Sequence, residues 1–242
     1  MFPIRDNNPT LRQPVATYAL IAVNVVVWLL VQGMGVEPAL SRSVCQLGLI
    51  PGEFLLRLPD GFRIPLGKGM DCVVTTGRTW YAPLTSMFLH GSWMHLLGNM
   101  WFLHVFGNNV EDVMGRGRYV LFYLLCGFAA VAAQMAANPA STAPMVGASG
   151  AIGGVMGGYV LLYPRARIRT FLFIFFLDVP AFVMLGYWFL LQLVGGWAPQ
   201  GDGGVAFMAH VGGFLGGLLL VPLFRDPDLV AAHRAAAGRA YQ

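Results

Sequence analysis

The run Gly147-Ala148-Ser149-Gly150-Ala151-Ile152-Gly153-Gly154-Val155-Met156-Gly157-Gly158-Tyr159-Val160-Leu161-Leu162-Tyr163-Pro164-Arg165 decides how this chain is read. A serine between glycines at the start of an apolar helix puts a hydroxyl where unpaired backbone N–H groups and the positive end of the helix dipole also point. A second run of the same kind opens 61 positions later (210 − 149) with Ala209-His210-Val211-Gly212-Gly213 and closes at Phe224-Arg225. Serine and histidine are the polar exceptions at the tops of two membrane-type helices.

The two runs match in length, 14 residues from Ser149 to Tyr163 and 14 from His210 to Phe224. At 1.5 Å per residue each polar group lies roughly 21 Å above a basic inner boundary, in a hydrocarbon layer about 30 Å thick. If the helices run in the same direction, the hydroxyl and the imidazole share one depth. A neutral imidazole at that level is suited to take the serine's proton. Glycines at 150, 154 and 158 in one run, and at 213 and 217 in the other, recur every four residues. Small residues at that spacing let two helix backbones approach closely in lipid.

Composition bounds the class. Charged residues make up 11% of the 242, against about 25% in soluble domains, so the chain is expected to be an all-α polytopic membrane protein. The net charge of +4 comes from basic residues scattered in short loops, which read as topology signals and give no nucleic-acid surface. The three cysteines are too few for a disulfide framework. Cys126 falls in an apolar segment as a buried thiol, and for Cys45 and Cys72, which share one long loop, a disulfide and two free thiols are equally consistent.

Outward from the central runs, the pattern predicts six spans. Residues 1–14 form a polar segment, followed by a retained first span over Val15–Gln32 and a long outer loop over residues 33–92 that lies partly in the membrane interface. Ser92 caps a second span, Trp93–Val110, with Glu111 the first charge beyond it. Tyr119–Ala137 is the third span, and the fourth begins at about Met145. The fifth, Val179–Trp197, is read with Asp178 as its cap and Pro180 in its first turn, leaving residues 168–177 along the inner interface. A glycine loop, Gly201–Gly204, precedes the sixth span, Val205–Phe224, and residues 225–242 form a mostly polar tail.

Arginine and lysine counts set the orientation. The side with the termini carries Arg5, Arg12, Arg116, Arg118, Arg165, Arg167, Arg169, Arg225, Arg234 and Arg239; the other has Arg42, Arg57, Arg63, Lys68 and Arg78 in the one long loop. Both termini are thus expected in the cytoplasm, with Ser149 and His210 opening outward. In the second span His95 and Asn99 stand one turn apart on one face, at the level of the pair or one turn below it. They read as oxyanion donors or as a hydrogen bond between helices, and His90 as structural. The sequence lacks a His-Glu-x-x-His pattern or three close ligands, so no metal is expected.

These pieces, His95-x-x-x-Asn99, Gly107 to Glu111, Gly147-Ala148-Ser149-Gly150 and Ala209-His210-x-x-Gly213-x-x-x-Gly217, resemble the rhomboid intramembrane serine proteases over about Ala16 to Phe224. The resemblance implies a six-helix rhomboid-like bundle in a bacterial inner membrane, with Ser149 as nucleophile and His210 as base. It also implies an oxyanion site of His95, Asn99 and the Ser149 N–H, and no cofactor. Substrates would be membrane-anchored, in practice single-pass, proteins in the lipid bilayer. Glu111 matches a family position that braces the first loop. Two departures stand out: Tyr81 and Ala82 replace a frequent Trp-Arg pair, and Gly153 stands where some members carry an aromatic ring under the histidine, leaving the imidazole less constrained. The rival readings are a catalytically silent relative that binds membrane proteins, and a small transporter with a polar midplane site.

Overall fold

The computed structural model describes residues 1–66, 70–75, 77, 79–197 and 205–240. Lys68, Arg78 and the loop Gly201–Gly204 lie outside the described residues, as does the side chain of Arg239. In chain order the elements are β1 (Phe2–Asp6), α1 (Val15–Val26, continued by a π-turn over Val27–Val31), α2 (Ala39–Leu47), α3 (Pro51–Phe54), β2 (Arg63–Pro65), β3 (Asp71–Val73) and α4 (Ala82–Thr85). There follow α5 (Trp93–Met114), α6 (Arg116–Ala137), α7 (Ser149–Leu162), β4 (Arg167–Leu172), β5 (Phe175–Pro180), α8 (Ala181–Trp197), α9 (Phe207–Phe224) and α10 (Pro227–Ala240). The chain is mostly helical, as its composition demands. Helices α6 and α9 are long and apolar enough to cross a membrane, and Val15–Val31, α7 and α8 are shorter apolar helices.

Helix α7 sits at the centre, packed on α5, α6 and α9. The glycine spacing makes this possible. A Cβ at Gly213 would overlap the carbonyl oxygen of Gly150, and one at Gly217 that of Gly154. Helix α6 closes on the other side of α7, where a Cβ at Gly150 would stand 2.5 Å from that of Ala130. In lipid, where lipid tails are as apolar as leucine, such close backbone contact replaces hydrophobic burial as the source of helix association.

The long outer loop is ordered by several ties. Cys45 on α2 is disulfide-bonded to Cys72 on β3, so the pairing left open by the sequence is formed. Leu49 and Met145 exchange backbone hydrogen bonds of 3.1 and 2.7 Å, and the Gly147 N–H donates to the Ser86 carbonyl at 2.9 Å. The last of these fastens the loop to the approach of α7. Gln32 donates to the His90 carbonyl at 2.7 Å and accepts from the His90 N–H at 2.8 Å, joining the end of the first helix to the start of α5. At the Tyr81-Ala82 departure, Ala82 is fully buried and the Tyr81 hydroxyl donates to the Gln46 carbonyl.

The structure departs from the all-α expectation and from the reading of Asp178 as a cap. The chain is not purely α: β1, β4 and β5 form an antiparallel sheet in the order β1-β4-β5, and β2 and β3 form a hairpin within the loop. Residues 1–14 therefore contain a paired strand, and residues 168–177 belong to a β-hairpin. Asp178 does not cap the fifth helix, which begins at Ala181; it lies in β5, paired in register with Arg169 and bonded to it at 3.1 Å. The alternation of Ile168 and Thr170 inward with Arg167 and Arg169 outward is the period-2 signal that an apolar reading of this stretch overlooked. The tail is the helix α10, tied in by His233, which bonds to Asn109 at 3.1 Å.

Glu111 ties the fold at the inner end of α5. Helix α5 continues past Val110 to Met114, and Glu111 is buried in it. Its carboxylate accepts from the N–H groups of Ala16 at 3.0 Å and Thr17 at 2.8 Å, and from the Thr17 hydroxyl at 2.8 Å. Glu111 thus caps the N-terminus of α1, where N–H groups have no intrahelical acceptor. The first loop is braced elsewhere, by Gln32 and by Glu53, whose carboxylate accepts from the Thr75 N–H at 3.0 Å.

Candidate active site

Each helix delivers its polar group for a local reason. Ser92 caps α5, its hydroxyl accepting from the His95 N–H at 3.1 Å, and so fixes the turn that carries His95. Gly147 adopts a φ of +132°, and a Cβ there would stand 2.8 Å from the His95 ring and 3.5 Å from the Ser149 hydroxyl oxygen. Only a glycine lets the His95 ring and the start of α7 close together in this way. Ser149 is the first residue of α7, so its N–H has no acceptor within the helix.

Ser149 Oγ and His210 Nε2 are 2.7 Å apart. The matched depths of the two glycine-rich runs are thus realised as a direct hydrogen bond. The pair lies on a cavity of about 480 Å³ that His95, Asn99, Phe102 and Trp188 also line. The nitrogen His95 Nδ1 accepts from the Gly91 N–H at 3.4 Å, which leaves the proton on Nε2, the nitrogen at Gly147 and the start of α7. Asn99 Nδ2 is buried with no acceptor among the described residues. Two donors without a partner among the described residues therefore belong to side chains that line the cavity beside the serine. An orphaned buried donor costs about 1–3 kcal/mol, a cost that a bound oxyanion would relieve.

His90 stands behind this wall. It is fully buried, its ring meeting that of His95 edge-on with centroids 5.1 Å apart. Burial, reinforced by His95, pushes its imidazole down to about 3, so it is neutral in ordinary buffers.

Sequence reasoning missed two residues, both on α8. Gln192 Oε1 lies 2.7 Å from His210 Nδ1, and Gln192 Nε2 donates to the Trp188 carbonyl at 3.2 Å. The Trp188 ring lies beside the imidazole, with centroids 5.8 Å apart. It also reaches over Gly153, where a Cβ would stand 3.7 Å from the indole and 3.1 Å from the His210 carbonyl oxygen. The imidazole is therefore not left loose by the glycine at 153: an indole from the neighbouring helix occupies the flank that an aromatic at 153 would have filled. The available signal was that Gln192 is one of three non-aromatic polar side chains, with Thr170 and Asp178, in the apolar stretch from Thr170 to Trp197. A polar group in such a span needs a partner.

A family model described as the Rhomboid domain matches residues 77–227. The chain is similar to Rhomboid-like protein 11, chloroplastic, of Arabidopsis thaliana, with 33% identity over 147 residues, 59% of this chain and 51% of that protein. It is similar to Rhomboid protease GluP of Bacillus subtilis, with 30% identity over 169 residues, 68% of this chain and 31% of that protein. Putative rhomboid protease YdcA of the same organism is 27% identical over 152 residues, 63% of this chain and 70% of that protein. Against Rhomboid-like protein 11 and GluP the chain spans about half and about a third of the relative's length. The matched residues run from the end of the outer loop through α9 and include every wall of the cavity, and on that match the chain belongs to the rhomboid family of integral membrane proteins.

Proposed function

We propose that this protein is an intramembrane serine endopeptidase in which Ser149 is the nucleophile and His210 the general base, acting on membrane-anchored proteins in or near a transmembrane segment. The observation that carries the reading is the 2.7 Å bond between Ser149 Oγ and His210 Nε2 on a cavity wall. Family membership and the names of GluP and YdcA point to the same reaction class. In this reading α1 and α5 to α9 cross a bacterial inner membrane, both termini are cytoplasmic, and the cavity opens outward.

His210 Nε2 takes the Ser149 proton as Oγ attacks the substrate carbonyl carbon, and the negative charge passes to the carbonyl oxygen. The donors Asn99 Nδ2, His95 Nε2–H and the Ser149 N–H are the groups that would receive this charge. The tetrahedral intermediate collapses with cleavage of the C–N bond while Nε2 returns its proton to the leaving amine. Water, deprotonated by the same nitrogen, then attacks the acyl-enzyme ester and releases Ser149.

A fluorophosphonate probe tests this without knowledge of the substrate. An adduct located by mass on Ser149, and absent in both Ser149→Ala and His210→Ala, is expected. Folded protein that stays unlabelled beside a reactive control hydrolase would instead favour a silent binder of membrane proteins.

A further inference from the structure

The bond on the far side of the imidazole decides which nitrogen carries the proton. An amide oxygen can only accept, so at 2.7 Å from Gln192 Oε1 the nitrogen His210 Nδ1 must be the protonated one. The opposite tautomer would set two acceptors against each other at that distance. The orientation of the amide is fixed in turn, because its nitrogen donates to the Trp188 carbonyl. With Nδ1 protonated, Nε2 has a free lone pair directed at Ser149 Oγ. Ser149 belongs to α7 and His210 to α9, so a residue of α8 holds the base in its working form.

We propose that Gln192 is a positioning residue for His210, the third member of a Ser149-His210-Gln192 relay. The proposal rests on the serine-protease reading above. Without the Nδ1 to Oε1 bond the imidazole is free to turn and to take the other tautomer. Gln192 contacts no reacting atom; it acts through His210.

The test uses the intact protein and saturation kinetics of a tagged fluorophosphonate. Gln192→Leu, which keeps volume and removes the acceptor, should lower the maximal labelling rate about tenfold and leave the half-saturating probe concentration unchanged. Gln192→Glu restores an acceptor for Nδ1–H and should bring the rate back to within a few-fold of wild type. A purely structural role ties labelling to fold stability, so a leucine variant that melts like the wild type yet labels about tenfold more slowly is an outcome that such a role does not produce. Melting curves show whether the leucine variant folds; Gln192→Met, unbranched and with only a weakly accepting thioether, replaces it if it does not. Wild-type protein that fails to label refutes the serine reading and this one with it. Wild type that labels while the folded leucine or methionine variant labels at the same rate refutes only the role of Gln192.

A separate observation carries a second inference. In the β1-β4-β5 sheet, cross-strand partners share a face, and the outward face changes character at one level on all three strands. Arg5, Arg169 and Asp178 are partners in register, as are Phe2, Phe171 and Phe176 one step along. Beyond them the hairpin tip presents Phe173 and Ile174, 85% and 78% exposed. The flanking edge toward α5 is not bare, because the Trp101 indole N–H donates to the Pro3 carbonyl at 2.6 Å and Phe2 packs on Trp101 and Phe102. The β1 edge is thus covered, as lipid requires of a strand that it meets.

We infer that this sheet is a bilayer-inserted wedge: its phenylalanine end lies among the acyl chains of the inner leaflet and its arginine end at the phosphates. Because Phe102 also lines the cavity, the inserted end forms a sill beneath it on the α5 side. Nitroxide labels at Ile174→Cys and Arg167→Cys, in nanodiscs, read the depth. Oxygen should relax the label at 174 far more than a water-soluble nickel chelate does, with the reverse at 167. Equal chelate access at both sites refutes insertion. Protection of 174 from both relaxants also refutes it, and indicates a second protein on the tip.

Discussion

Replacing Glu111 tests the cap on α1. The buried carboxylate receives two backbone N–H groups and one hydroxyl of Ala16 and Thr17. Hydrogen bonds to a charged group contribute about 1.5–3 kcal/mol each, and an orphaned buried donor costs about 1–3 kcal/mol. Glu111→Gln keeps one acceptor oxygen and turns an NH2 group toward a donor, so about 2–3 kcal/mol should be lost. At about 2–4 °C per kcal/mol for a chain of this size, the melting midpoint falls by roughly 4–12 °C. Glu111→Ala, which abandons all three donors, should fall further. The assay is thermal unfolding in detergent, paired with the Ser149 labelling rate below the transition. Glu111 lies 16 residues from His95 along α5 (111 − 95), roughly 24 Å, so labelling at low temperature should be unchanged. An unaltered midpoint would refute the cap. Proteolytic opening of the loop over residues 33–92, with α1 still protected, would show that Glu111 braces the loop after all.

Other outcomes follow from the same contacts. Gly213→Val places side-chain atoms against the Gly150 carbonyl and must part α7 from α9; a separation of about 1 Å breaks the Ser149 to His210 bond, so labelling should fall by two orders of magnitude or so while helical circular dichroism persists. The Asp6 carboxyl is pushed up to about 6, chiefly by burial, against a lowering hydrogen bond from Tyr159. The folded chain then holds this proton where the unfolded chain has lost it. The contribution of Asp6 to stability is thus fully present below about pH 4 and declines as pH rises to about 6. Asp6→Asn should remove that decline, seen as the difference between the two melting profiles from pH 4.5 to 7. Reduction of the Cys45–Cys72 bridge, which closes 27 positions of the outer loop, should cost at most about 3–4 kcal/mol by chain entropy, read as a lower melting midpoint; intact protein should gain two alkylation sites only after reductant.

Much of this protein was legible in one dimension because its key signals are periodic or local. The equal spacing from Ser149 to Tyr163 and from His210 to Phe224, and the four-residue glycine stripes, fix the depth and the faces of two helices whatever surrounds them. The Ser92 cap is likewise a matter of three neighbouring residues. What only the tertiary structure decided are pairings between distant segments. Gln192 and His210 lie on different helices, as do Glu111 and Thr17. The strand at Phe2–Asp6 gains its identity only by pairing with a hairpin some 165 positions away. Hydrophobic periodicity states which side of an element faces inward, but carries no address for the partner. A buried amide or carboxylate is specified by the donor or acceptor opposite it, and that donor or acceptor is supplied by packing.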